Sequence, residues 1–351
     1  MTTHKEIIAK TIRLEKTPRL PVSLLSGGTW ALTSSGLTME QALKENPQRL
    51  ASVIAETNEI VDCDIVWPGS GYHNLAIRGA GGEIKFRVKG TPDVMSPLFD
   101  DAVHIDYSAV GRVKEDPGIK VLVETARILS QSIGVETVVG TSQWAPFTLG
   151  GLAFGVEKLM RATYKDKAAV HAVLDFAAEL CFAYLEPFID AEVSIISLAD
   201  PTSSGDLISR EQFIEFSLPY LKKVGARVKA RGVWLTVHIC GKTTNRLNQI
   251  PLAGADIMSV DYKVDLADVR QILGGRIAFA GNMNPVAVML KETPAGVAAA
   301  CRAAIASAGG AEAGYILMPG CDIPPRTPIE NVKAMVDTAR EFSFAQEQLH
   351  A

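Results

Sequence analysis

The chain has no basic block or arm. Its 35 Lys and Arg are scattered among 39 Asp and Glu, giving a formal net charge of −4, so nothing favours nucleic acid or an anionic membrane surface as a partner. No apolar run approaches the ~20 residues of a membrane span, and the start, MTTHKEIIAKTIRLEK, lacks the apolar stretch of a secretory signal. Cysteine is sparse: Cys63, Cys181, Cys240, Cys301 and Cys321 are an odd number, widely spread. That argues against a disulfide framework and for free thiols in a reducing cytoplasm. Also missing are a GxxxxGKS/T loop, a GxGxxG opening a helix and a GxSxG elbow, which removes the starting motifs of nucleotide cradling and of the serine hydrolases.

What is present is apolar residue in quantity, 47% of 351, enough for one large core. It comes in short runs. After a helical stretch over 5–14, PVSLL (21–25) ends on Ser26-Gly27-Gly28, and DIVW (64–67) ends on Pro68-Gly69. Further runs lie at 137–139, 193–198, 233–237, 255–260, 277–280 and 315–318, mostly separated by helical patterns, such as those over 117–129, about 154–188, 210–231 and 294–308. A last helix is expected over about 328–342. Eight apolar runs joined by helical crossovers predict an α/β fold, a single (β/α)8 TIM barrel over 1–351, with an N-terminal helical segment and a small antiparallel β insertion near 83–89. Gly150-Gly151 and Gly309-Gly310 read as turns.

Two runs finish on soft metal ligands. The stretch VWLTVHICGKT (233–243) ends on His238 and Cys240, which alternate with Ile239 and so share one side of an extended chain; YILM (315–318) is followed by Pro319-Gly320-Cys321. If the two strands stand in one parallel sheet, an imidazole and two thiols meet around one ion, and zinc suits that donor set. The plain alternative is a buried thiol and a hydrogen-bonded histidine. In a barrel, however, reactive groups gather where strands end, and all three fall there. So do Asp200, Asp261 and Asn282. The two carboxylates are candidate catalytic residues that orient the ligating His or hold a substrate, or else cap the following helices. Trp30, Tyr72, His73, Trp144 and Asn282 follow the ends of runs and are candidate substrate contacts, with core packing as the alternative for the tryptophans. Cys63, Cys181 and Cys301 read as packing.

Four segments in order carry a resemblance: Asp200-Pro201-Thr202 with Asp206-Leu207-Ile208-Ser209; Val237-His238-Ile239-Cys240-Gly241; Gly281-Asn282-Met283-Asn284-Pro285; and Met318-Pro319-Gly320-Cys321-Asp322-Ile323-Pro324 with Thr327-Pro328-Ile329-Glu330-Asn331. Together they resemble the uroporphyrinogen decarboxylase superfamily, and within it the zinc-dependent, corrinoid-linked methyltransferase branch. The resemblance implies zinc at His238, Cys240 and Cys321, and methyl transfer between a methylcobamide and a small donor or acceptor, such as a thiol. No corrinoid-binding DxHxxG segment is visible, so the cobamide is expected on a separate corrinoid-binding protein. A tetrapyrrole decarboxylase is the second reading, and a non-catalytic barrel that binds a corrinoid or porphyrin the third. Against the decarboxylase, residues 21–36 hold no Arg and 66–82 no Asp or Glu, where that enzyme carries such groups for a polycarboxylate. The chain also departs from the methyltransferase branch, with Ala76-Ile77-Arg78-Gly79-Ala80 where many members have a Glu-containing stretch.

Overall fold

A parallel strand buried on both faces needs an apolar run, and a helix must return the chain to the same end of the sheet. In the computed structural model, which describes residues 2–25, 27–87, 90–310 and 314–342, that alternation builds an α/β barrel of the TIM type. The strands are β1 (Ile65–Val66), β2 (Ile84–Lys85), β3 (Asp93–Val94), β4 (Val138–Trp144), β5 (Ile195–Ala199), β6 (Trp234–Ile239), β7 (Ile257–Val260), β8 (Ala278–Met283) and β9 (Tyr315–Pro319). Seven of them form one parallel sheet in the order β1-β4-β5-β6-β7-β8-β9. β2 and β3 pair antiparallel as the expected insertion. Ser26 and Lys89, expected to end the first run and the insertion, lie outside the described residues.

The first run does not become a full strand. Pro21 has no N–H to give, and the N–H of Val22 is taken by the Asp64 carboxylate at 2.7 Å. A single parallel bridge, Val22 with Leu317, remains. Even so, this segment sits between the two sheet edges: Pro21 accepts from Leu317 N–H and Val22 accepts from Asp64 N–H, each at 2.9 Å. It is the eighth stave of the ring.

The stretch expected as helical over about 154–188 is broken: after a separate helix, Pro146–Phe154, come Val156–Lys165 and Lys167–Asp190. Gly155 turns the chain between the first two at a φ of 98°, a conformation that favours glycine, and Asp166 caps the third through Ala169 N–H. Gly150 and Gly151 lie inside the first helix rather than in a turn. A Cβ on Gly150 would stand 3.1 Å from Leu174, so the glycine lets two helices approach closely. Lys167–Asp190 is long and apolar enough to cross a membrane by length and composition, but most of it is buried inside the fold, as a core helix is.

Register shows which side chains enter the ring. Ile65, Val138, Ile195, Ile257, Ala278 and Ile316 form an inner cluster with Trp67 and Met318, and Ile8 of the helix His4–Ile12 packs against it. Above this apolar floor the inward positions become small or polar. Ser142 pairs with Ser197, Ser197 with Thr236, Ala199 with His238, and Ser259 with Ala280. Bulk at the N-terminal end thus gives way to small and polar residues toward the C-terminal end, where His238 stands on the inner side.

Candidate metal centre

His238 points inward because Trp234, Thr236 and His238 share the ring-facing side of β6, paired with Ile195, Ser197 and Ala199 of β5. The strand ends at Ile239, and Gly241 at a φ of 78° turns the backbone away. A Cβ on Gly241 would lie 2.4 Å from the Asp206 carboxylate. Cys240 stays on the inner side of this turn. Cys321 arrives from β9 through Gly320, where a Cβ would stand 2.4 Å from Tyr262 N; only a residue without a side chain lets the β9 exit pass so close to the β7 exit.

The three donors meet. His238 Nε2 lies 3.1 Å from Cys240 Sγ, and Cys240 Sγ 3.6 Å from Cys321 Sγ. All three ligand atoms fall within 4.8 Å of one another. In a tetrahedral zinc shell, sulfur–sulfur edges are about 3.8 Å and nitrogen–sulfur edges about 3.5 Å. The donor set and its spacing therefore fit one zinc ion. His238 is buried and the two cysteines are partly open, so the cluster has a protected side and an accessible one. A hydrogen bond from Cys240 holds the Cys321 thiol far below its usual value against the upward push of burial, and His238 adds to this. The same bond pushes Cys240 up, and the nearby Asp261 charge adds to that push.

The other nitrogen of His238, Nδ1, lies 2.9 Å from Ser259 Oγ. With Nε2 ligating a metal, Nδ1–H would donate to that hydroxyl and fix the ring. Sequence reasoning missed Ser259. Its signal was a polar residue at the third position of IMSV, in register with His238.

Asp261 follows β7 at the mouth. One of its carboxylate oxygens accepts from Lys263 N–H, and the Asn282 amide donates to the carbonyls of Asp261 and Val264, so Asn282 braces this loop. Asp200 is fully buried. Its carboxylate accepts from Thr148 N–H, Thr148 Oγ1 and Ser217 Oγ, and burial raises its pKa against these bonds. It caps an earlier helix, Pro146–Phe154, whose own cap residue, Ala145, makes no side-chain bond, and not the helix that follows it.

The aromatic candidates divide. Trp30 and Tyr72 are buried; the Trp30 indole N–H donates to Thr327 O and the Tyr72 hydroxyl to Met39 O. Both have the surroundings of core side chains. Trp144 is the last inward residue of β4, partly exposed, with its indole N–H on Asn74 Oδ1. The His73 ring packs against it at a tilt of 45°, with ring centres 4.3 Å apart. Cys63, Cys181 and Cys301 are buried, the burial pushing Cys63 and Cys301 up to about 12.

The family described as uroporphyrinogen decarboxylase (URO-D) matches residues 3–342. A methylcobamide:CoM methyltransferase of Methanosarcina acetivorans is 31% identical over 226 residues, 64% of this chain and 65% of that protein. A second, from Methanosarcina mazei, is 32% identical over 240 residues, 68% of this chain and 69% of that protein. The chain thus spans just under two thirds of the first relative's length. Among solved structures, a methyltransferase from Methanosarcina mazei superposes with a TM-score of 0.87 at 23% identity, covering 97% of this chain and 99% of that one; at that identity the likeness speaks for the fold.

Proposed function

The chain belongs to the uroporphyrinogen decarboxylase family, and from that premise we propose that it is a zinc-dependent methyltransferase moving a methyl group between a corrinoid carried by a separate protein and a small donor or acceptor. The observation that carries this reading is the His238, Cys240 and Cys321 cluster at the open face of the barrel. Zinc bound there would lower the pKa of a ligated thiol so that it ionises near neutral pH.

The residues of the chain do the rest. Ser259 holds His238 in the ligating tautomer. Asn282 fixes the loop that presents Asp261 beside Cys240. Asp200 locks the β5 exit to the helix behind Trp144, a positioning role. In the acceptor direction, a thiolate sulfur forms a bond to the methyl carbon while the cobalt–carbon bond breaks, its electron pair remaining on cobalt. Leu207, Tyr262 and Val286 are exposed on the segments after β5, β7 and β8, on the end of the barrel where the corrinoid protein would dock. The tetrapyrrole decarboxylase reading is weaker, because residues 21–36 hold no Arg and 66–82 no carboxylate.

Metal analysis of the wild type and of Cys321→Ser, paired with demethylation of methylcobalamin by added thiols, tests the reading. We expect zinc near one per chain, lost with demethylation in the variant. Wild-type protein without metal, or a variant that keeps both metal and turnover, sinks it.

A further inference from the structure

Within the methyl-transfer reading, we infer that the small reactant is a ring-sized molecule that lays an apolar face on Trp144 and gives an N–H or O–H hydrogen bond to Nδ1 of His73. The inference begins with an unpartnered atom. His73 is almost wholly buried, and its Nδ1 is a buried nitrogen with no hydrogen-bond partner. The other ring nitrogen is committed: Nε2 lies 2.6 Å from Ser142 Oγ, which itself donates to Ser70 Oγ at 2.9 Å. Because Ser142 spends its proton on Ser70, Nε2 must carry the hydrogen, and Nδ1 is left as a bare acceptor. Burial also pushes the imidazole down to about 3, so the ring is neutral at physiological pH and does not attract an anion. A neutral buried acceptor calls for a donor.

Where this acceptor sits sets the size of its partner. Ser142 and Trp144 are inward residues of β4, and His73 follows β1, the neighbour of β4. Around the ring, counting the segment at 21–23, the β1–β4 side stands across the mouth from the arc between β6 and β9 that carries the metal ligands. One molecule touching both walls must span the mouth, and an eight-stranded ring admits one small ligand. The partly exposed Trp144 ring lies on the way, held by Asn74, whose own amide is tied to Pro92 O of the β2–β3 insertion. A reactant whose far end offers only acceptors, such as a sulfonate or an ether, leaves Nδ1 unpaired and meets no positive imidazole.

The test is calorimetric binding of three aryl thiols to the zinc-loaded protein, without corrinoid. The probes are 4-mercaptophenol, 4-methoxybenzenethiol and benzenethiol; the first two have sulfurs of similar acidity and differ in whether the far end donates. We expect 4-mercaptophenol to bind about tenfold tighter than its methoxy analogue, and His73→Phe to bring the ratio near one while benzenethiol binding holds. Ser142→Ala, which frees the tautomer, lowers the ratio by a second route should the Phe variant fold poorly. Equal binding of the two in wild type, or a ratio unchanged in both variants, overturns the inference. Removal of zinc with a chelator separates this from the metal reading: benzenethiol that binds equally with and without zinc defeats the metal reading, while the ratio still reports on His73.

Discussion

Ser259→Ala is expected to weaken zinc binding by one to two orders of magnitude while leaving the fold intact. Ser259 is fully buried and touches the site through one hydrogen bond, Oγ to His238 Nδ1 at 2.9 Å. In the metal-free protein the loss is small, because the imidazole proton can move to Nε2 and face Cys240 Sγ, 3.1 Å away. Metal removes that escape. Ligation through Nε2 forces the proton onto Nδ1, where alanine offers no acceptor, and a buried unsatisfied donor costs about 1–3 kcal/mol. The cost falls on the bound state alone, so the zinc dissociation constant should rise by a factor of about 5–150, in line with other residues that orient ligating histidines. Competition against a chromophoric chelator measures it, with thermal unfolding of the metal-free forms as control. Dissociation constants within twofold of each other would refute the orientation argument. An equal drop in metal-free stability would recast Ser259 as a packing residue.

Two further outcomes follow from the geometry. Asp64 is fully buried at the closed end of the ring; burial pushes its pKa up, but hydrogen bonds from Arg19, His4 and Val22 N–H outweigh this and hold it below the ordinary value. A depressed carboxylate stabilises the fold above its unfolded pKa of about 3.8, and loses that contribution as pH falls through the folded value. Arg19→Met should therefore cost about 3–5 kcal/mol at neutral pH, with the gap to wild type closing in acid; a pH-independent deficit in urea unfolding counts against the ion pair. Gly320→Ala should displace the β9 exit, because its Cβ would meet Tyr262 N at 2.4 Å. Zinc content should fall without loss of helical circular dichroism, and full zinc occupancy in that variant would show that Cys321 does not depend on this close approach.

The barrel was legible because its signal is local. Apolar runs at 64–67, 193–198 and 315–318 could hardly be anything but buried strands, and His238, Cys240 and Cys321 announced themselves by falling where such runs end. The first run misled, since its composition reads as a strand while its ladder N–H goes to a carboxylate 42 residues away in the chain. Gly150-Gly151 misled for a similar reason: its role is the approach of a second helix, which no local pattern records. Trp30 and Trp144 look alike in sequence, each near the end of a run, yet one is packed behind the wall and the other faces the mouth.

The sequence by itself therefore determined the alternation of strand and helix, the ends of the strands and the chemical types of the three donors, because each follows from short-range periodicity and residue type. Only the tertiary structure decided that Cys240 and Cys321 lie 3.6 Å apart, that Ser259 holds His238, that Asp200 caps an earlier helix, and that one nitrogen of His73 is unpaired. These are distances between strands and loops far apart in the chain, fixed by ring closure and register, and no local pattern contains them.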